Sequence, residues 1–511
     1  MKRFPALAAA ACLTLTACGG GSSSSDGGNG EADPSAILRY TTSGGVTSFD
    51  PHKTVASSDY ILLNYVYDRL VHQDVDGQPV PGLAESWEFG EDSKSLTFKL
   101  RSGVSFEDGT PFDAEAVKAN LERALEPDSI TAPLLAVVDS VEVVDPSTVT
   151  LKLNSPGAHL VLTLSDLSGM MVSPQAFATP DAAAALATDS NGIGRFTLAE
   201  ADPGAHYVFE ASENYWDAEA LKVGGMDVTV IVDPQTNLNG ISSDQADCAL
   251  VSPAMIAPAE AIPNAVTKAR TVLTQTVLYF NQTKSELGDP LVRKAINLAL
   301  DRDAILEAAQ EGKGAASTGL FPDDYFVPND SVADLLTQDQ QAAKDLLAQA
   351  GLADGFSFTT VTLTIPQFVT TAEIVKAQLA EIGIDMEIKA LPPADLGVNF
   401  LKGTGDAVIT AWTGRADPSM LLSSYFDADA PQNVSRTEVD GFDEALQAAN
   451  STDDVAERGE ALAEVQRLVL EQGAVAPLTF NAVGAVCSER VTGYEPPLVG
   501  ISEFRGVGIN G

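Results

Sequence analysis

The side chains able to do covalent or metal chemistry are few and scattered. The four histidines, His52, His72, His159 and His206, lie far apart. None falls in a His-Glu-x-x-His spacing, and no Cys-x-x-Cys pair accompanies them to gather a metal ion. The chain has no Gly-x-Ser-x-Gly turn to present a nucleophilic serine and no Gly-x-x-x-x-Gly-Lys-Ser/Thr loop to cradle a phosphate. Its 71 Asp and Glu residues would allow a carboxylate pair for glycoside hydrolysis, but no spacing picks one pair out. We therefore expect a binder and not an enzyme, with no catalytic residues, cofactor or metal. A secreted hydrolase is the remote alternative.

Thiol chemistry is better marked. Residues 1–17 open with Lys2 and Arg3 and continue in an apolar run, 4–16, far shorter than the roughly 20 residues a membrane span needs. This is the layout of a signal peptide. It ends in Leu15-Thr16-Ala17-Cys18, a pattern at which a signal peptidase cuts and the thiol takes a diacylglyceryl group. Residues 19–30 are almost all Gly and Ser, a flexible tether unable to form a core. The expectation is a signal peptide over 1–17, then a lipidated Cys18 and its tether over 18–35. Several acyl chains on one residue anchor stably where one would not, so the mature protein is expected outside the cytoplasm, held to the cell membrane. Cys248 and Cys487 remain, each in a β-like stretch. In an oxidising compartment they form one disulfide or stay as two buried thiols, and both readings stand.

The elements that would position these groups read as mixed α and β. Leu96, Phe98 and Leu100 alternate with polar residues, the mark of a half-buried strand. Asp113 offers a cap to a helix with Val117, Leu121 and Leu125 on its apolar face. Two β-branched runs over 141–153, split at Asp145-Pro146-Ser147, predict a hairpin. Asp289 followed by Pro290 starts a helix with Val292, Ile296 and Leu300 on one side. Beyond residue 350, strand and helix signals alternate: a strand 356–363, a helix 371–382 stopped at Gly383, a strand from Ile384, a short helix at 396–402 and a strand 407–412. That order builds a mainly parallel sheet covered by helices, with ligands at the carboxyl ends of its strands. Trp412 stands at such an end.

Once residues 1–17 are removed, 28 basic residues face 71 acidic ones, a formal charge of −43. Such a charge repels nucleic acid and anionic lipid surfaces and is read as a solvated surface on a monomer. Roughly 475 residues follow the tether, enough for two or three domains.

Several segments resemble one family. They are Phe49-Asp50-Pro51-His52, then GQPVPGLAESW from Gly77, and LTFKLRSGVSFEDGTPFDAEAV from Leu96. Asn214-Tyr215-Trp216 matches in part, and Val292-Arg293-Lys294-Ala295-Ile296-Asn297 is followed by Asp301-Arg302. In order and spacing they are similar to the extracellular solute-binding proteins of ABC transporters, family 5, the peptide- and nickel-binding type. The resemblance implies an α/β, two-lobed periplasmic-binding-protein fold of type II with an extra α+β domain inserted in the first lobe. Lobe 1 is then expected over 36–51, 189–275 and 481–511, the inserted domain over 52–188 and lobe 2 over 276–480. The chain crosses between lobes near 273–279 and 480–484. The implied function is capture of a peptide-like solute by hinge closure and delivery to an ABC permease. A ligand-sensing receptor, or a binder of nickel chelates or oligosaccharides, shares the same fold.

The resemblance also implies site residues. Peptide-binding members place a Trp against ligand in the segment that looks like Ala411-Trp412-Thr413-Gly414-Arg415-Ala416-Asp417-Pro418. They carry Asp three residues after that Trp, paired with the ligand's α-amine, whereas here the position holds Arg415. A guanidinium repels an ammonium and takes carboxylate or phosphate. Either Asp417 takes over the amine, or the ligand has none, or Arg415 turns to solvent or to Asp417. Thr42 and Ser43, in a Gly- and Ser-rich loop, Gly194 in Asn191-Gly192-Ile193-Gly194-Arg195-Phe196, and Tyr279 and Asn281 past the first crossing are further candidates. Trp87 and Trp216 are read as structural.

Overall fold

A long strand, Ala265–Phe280, and a second, Val475–Ser488, run antiparallel side by side and carry the chain between the two halves of the molecule. Their ladder breaks register between Thr271 and Gln275, opposite Phe480 to Ala482. On one side of the break Val475–Ser488 also pairs with Cys248–Val251, and on the other Ala265–Phe280 also pairs with Ala407–Trp412. One sheet therefore runs through both lobes, with its interruption where they join. The computed structural model describes residues 32–511 apart from 55–58, 92, 285, 403, 429, 431, 434 and 435. The signal peptide, Cys18 and most of the tether lie outside the described residues.

Beyond Cys248–Val251 the first lobe continues with Ile37–Thr42 and Gly225–Val230, which pair in parallel, then His206–Ala211 and Phe196–Asp202. Leu38, Tyr40, Phe209 and Met226 are buried between this sheet and the helix Asp59–Val66. The chain joins this fold earlier than the tether boundary at 35. The Asp33 N–H donates to the Ile509 carbonyl at 2.8 Å, and the Asp33 carboxylate accepts from Ser35 N and Oγ.

The inserted domain is an antiparallel sheet in the order Ala84–Phe89, Ser95–Leu100, Thr148–Leu153, Val138–Asp145. Leu96, Phe98 and Leu100 point into its core with Val117 and Leu121 of the helix Ala114–Ala124. The Asp113 carboxylate caps that helix by accepting from the N–H groups of Glu115 and Ala116. Its core begins at Leu70, because Leu62, Leu63, Tyr65, Val66 and Tyr67 pack into the first lobe. The first-lobe core thus takes in residues from the span 52–188.

In the second lobe, Phe356–Leu363 pairs in parallel with both Ile384–Leu391 and Ala407–Trp412. One face is covered by Val292 and Ile296 of Pro290–Ala299 and by Val375 and Leu379 of Pro366–Ala380. The latter helix begins five residues ahead of the predicted 371, at a proline whose missing N–H costs nothing in the first turn. It ends at Ala380, and the chain turns three residues on at Gly383, whose φ of +88° suits glycine. The opposite face buries Trp412, Tyr279, Phe426 and Leu462. Cys248 and Cys487, partners on adjacent strands, are joined as a disulfide with an S–S distance of 2.02 Å.

Candidate functional site

Where the lobes meet there is a small polar cleft. Its first-lobe wall carries Tyr60 and Asn64 on the helix Asp59–Val66, followed by Arg69 and Gln73. Ser165 and Asp166 add to this wall, as do Val499, Ile501 and Glu503 near the C-terminus. The second lobe contributes Gly414 and Ala416, directly after the strand Ala407–Trp412.

The helix Asp59–Val66 is held by a close backbone approach. A Cβ on Gly194 would stand 2.3 Å from the Tyr65 carbonyl oxygen, so only glycine lets this loop lie against it. Arg69 donates to Glu503 Oε2 at 2.7 Å and to the Ser165 carbonyl at 3.2 Å, while Arg195 donates to the Glu503 carbonyl at 2.6 Å. Burial opposes ionisation of Glu503, but Arg69, with His72 and Arg195 beside it, outweighs that and holds the carboxyl below its usual range. Behind them Asp68 accepts from Tyr215 Oη at 2.9 Å and Trp216 Nε1 at 2.6 Å, and also contacts the His72 ring. The Arg101 guanidinium lies 3.9 Å over the Trp216 ring. Trp216 therefore helps build the cleft wall from behind.

Asp166 is the unusual group. It is 8% exposed, and the one hydrogen bond its carboxylate accepts among the described residues comes from the adjacent Leu167 N–H at 2.7 Å. Burial pushes its carboxyl up to about 6, against the pull of Arg415 from the other lobe. Arg415 is half-buried between the two cleft-lining residues Gly414 and Ala416, and among the described residues it has no ion pair. Its charge also reaches the Tyr425 ring. The Asn64 Oδ1, on the same cleft, is buried without a hydrogen-bond partner among the described residues.

The structure places most of the other expected contacts elsewhere. Trp412 is 1% exposed, stacked on Tyr425 at 4.0 Å between ring centroids and edge-on to Tyr279 at 5.3 Å. The Tyr279 hydroxyl donates to the Tyr425 carbonyl at 2.6 Å. These rings form second-lobe core. Asn281 Oδ1 closes a turn by accepting from Thr283 N and Oγ1. Thr42 ends a strand, its carbonyl accepting from Ile231 N at 2.7 Å, and Ser43 is exposed away from the cleft lining. Gly194 acts through the helix it supports. Asp417 is fully buried and accepts two hydrogen bonds from Arg458, of 2.7 and 2.8 Å, and a third from the Ser419 N–H at 2.8 Å, which sets its carboxylate inside the second lobe. Among the cleft residues missed from sequence, Asn64 sits inside an apolar run, Leu62-Leu63-Asn64-Tyr65-Val66, while Arg69, Asp166 and Glu503 each follow another polar residue and carry no such signal.

Two lobes on a shared pair of crossing strands, with a polar cleft between them, define a binding protein of the hinged, two-lobed class. The chain belongs to the bacterial extracellular solute-binding proteins, family 5, whose model matches residues 78–433. It is 26% identical to a dipeptide-binding protein of Escherichia coli strain K12, over 92% of this chain and 94% of that one. It is 28% identical to heme-binding protein A of Haemophilus influenzae, over 92% of each chain. Its fold matches that of the ABC transporter-associated periplasmic binding protein DppA from Helicobacter pylori in complex with the peptide STSA. That match has a TM-score of 0.81 at 23% identity and covers 93% of this chain and 98% of that one. Among the described residues no His, Cys, Asp and Glu side chains group to hold a metal ion, and no helix is long and apolar enough to cross a membrane.

Proposed function

We propose that this protein captures a peptide or peptide-like small solute between its lobes and delivers it to the permease of an ABC importer. The observation that carries this reading is the proximity of unlike charges from the two lobes, Asp166 on the first-lobe wall and Arg415 beside the second-lobe lining residues Gly414 and Ala416. A peptide presents an ammonium and a carboxylate a few ångströms apart, and each end finds an opposite charge only when the lobes close. Moving a hinge from about 10% to about 90% closed takes roughly 2.6 kcal/mol of differential binding. Two charge-assisted hydrogen bonds and the burial of side-chain surface are of the right size to supply it. Relatives bind dipeptides and heme, consistent with a cleft whose polar frame tolerates different bodies. The protein works as a monomer outside the cytoplasm, tethered by a lipid on Cys18, so that loaded, closed molecules stay near the permease.

The test is a thermal-shift and calorimetric panel on the chain from Ala32 onward: di- and tripeptides, their N-acetylated and C-amidated forms, nickel–histidine chelate and oligosaccharides. A ligand at about 100 times its Kd stabilises by roughly 2.7 kcal/mol. Peptides with a free carboxylate are expected to raise the Tm. A response confined to chelates or sugars overturns the peptide reading. Mass spectrometry of the full-length protein checks the anchor, expected as a diacylglyceryl adduct on Cys18 that vanishes in Cys18→Ser.

A further inference from the structure

Away from the cleft floor, a second contact joins the lobes. After the strand Thr148–Leu153 the inserted domain turns at Gly157 and enters a short helix, Leu160–Thr163. The Ala158 N–H donates to the Asn450 carbonyl of the second lobe at 3.1 Å, and Ser93 Oγ donates to the Ser451 carbonyl at 3.1 Å. Leu162 packs on Ala416 and Met420. Between these contacts sits His159, 8% exposed, with no hydrogen-bond partner for Nδ1 among the described residues.

The second lobe meets this histidine with a prepared surface. Asp417, at the start of helix Pro418–Phe426, holds Arg458 of helix Val455–Glu471 through both guanidinium nitrogens. Arg458 Nη2 also donates to Ser419 Oγ at 3.0 Å and to Asn450 Oδ1 at 3.3 Å, and Ser419 Oγ donates to the same Asn450 oxygen at 2.9 Å. The charged and polar groups facing His159 are thus Asp417, Arg458 and Asn450.

We propose that His159 is a positioning residue for closure: it docks as a neutral ring into the Asp417–Arg458–Asn450 surface, and its protonation drives the lobes apart. This rests on the hinge-closure reading of the fold and not on the identity of the solute. The socket already holds a guanidinium whose charge one carboxylate neutralises, so a second cation there is uncompensated. Burial is the main force against protonation and Arg458 adds to it. Asp417 and Asn450 oppose, and the net effect pushes the imidazole down to about 4. With the lobes parted the ring returns to water and an ordinary value of about 6.5. The open form then takes up a proton that the closed form refuses. Closure is at full strength above pH 6.5 and weakens as pH falls, the closed-to-open ratio dropping roughly tenfold between pH 7.5 and 5.5. Asp166 titrates in the opposite sense, since its carboxyl is raised in the closed cleft, so the His159 effect is read as a ratio between wild type and a variant.

The experiment is small-angle X-ray scattering of the chain from Ala32 onward at pH 7.5 and 5.5, without ligand, for wild type, His159→Gln and His159→Asn. Each closed-to-open ratio is fitted from the profile. The expected result is a wild-type ratio that falls about tenfold further than that of either uncharged variant. Equal responses in wild type and variants, or no response in any, overturn the proposal. A peptide panel that fails while this difference appears would sink the solute assignment alone.

Discussion

Asp417 and Arg458 form a buried ion pair, two parallel hydrogen bonds of 2.7 and 2.8 Å, at the point where the second lobe meets the inserted domain. The sequence around Trp412 makes Asp417 a plausible partner for a ligand amine. The pair instead spends that carboxylate on Arg458 and on the N–H of Ser419.

Arg458→Leu is therefore expected to destabilise the fold. It strands a fully buried carboxylate, and removing one member of such a pair costs about 3–5 kcal/mol. Asp417→Asn keeps a cap for the helix but strands the buried Arg458 charge, and is expected to cost a similar amount. Urea unfolding of both variants measures the losses. Equal stability of wild type and Arg458→Leu would refute the pair's structural role.

Trp412→Ala should act as a core deletion. Its ring is enclosed by Tyr279, Tyr425 and Phe426, and emptying such a site costs about 3–5 kcal/mol. Trp412→Phe should recover much of the stability. Ligand affinity per folded molecule is expected to stay within a few-fold of wild type, as calorimetry at low temperature can check.

Much of the fold follows from local rules. Asp113 and Asp289 start helices by accepting from their first free N–H groups, Gly383 turns the chain just past the end of a third, and Leu96, Phe98 and Leu100 alternate because one face of their sheet is dry. The crossing strand Ala265–Phe280 is legible only in its second half. In the first half Lys268 and Arg270 reach ion-pair partners, Glu495 and Asp76, so no apolar alternation marks it. The cleft is less legible still. Arg69 and Glu503 lie 434 positions apart, and nothing in the residues near either one encodes the pairing. Local sequence points to Trp412 and Asp417, and the rest of the second lobe then encloses both.

The Cys248–Cys487 bond ties neighbouring strands of the first lobe across a sequence separation of 239. Cross-links that close long loops raise stability by about 2–4 kcal/mol. The double variant Cys248→Ser, Cys487→Ser is expected to lose stability on this scale while binding the same solutes. Denaturant unfolding with and without reductant gives the measurement: reductant should lower the midpoint of wild type and leave the double variant unchanged.

Asp166 should cost the folded protein stability at high pH. Its native carboxyl is raised to about 6, above the value of about 3.9 in an unfolded chain. The folded state thus holds a proton that the unfolded state has lost between these values, and stability falls as pH rises through the window. Asp166→Asn is expected to stabilise by on the order of 2 kcal/mol at pH 8 and by almost nothing at pH 4. A variant with the same advantage at both pH values would show that burial of the charge is not the cause.

Arg415 carries the charge preference of the cleft. It has no ion pair among the described residues, sits between the cleft-lining Gly414 and Ala416, and lies near enough to Asp166 for its charge to pull that carboxyl down. Arg415→Ala is expected to weaken peptides with a free carboxylate by about 1.5–3 kcal/mol, the worth of a hydrogen bond to a charged group, and C-amidated peptides much less. Arg415→Lys should restore only part of the loss, because an ammonium cannot make the bidentate contact. Calorimetry across matched pairs of free and amidated peptides separates the cases. Equal losses for both members of a pair would mean that Arg415 serves closure in general and does not read the ligand's charge.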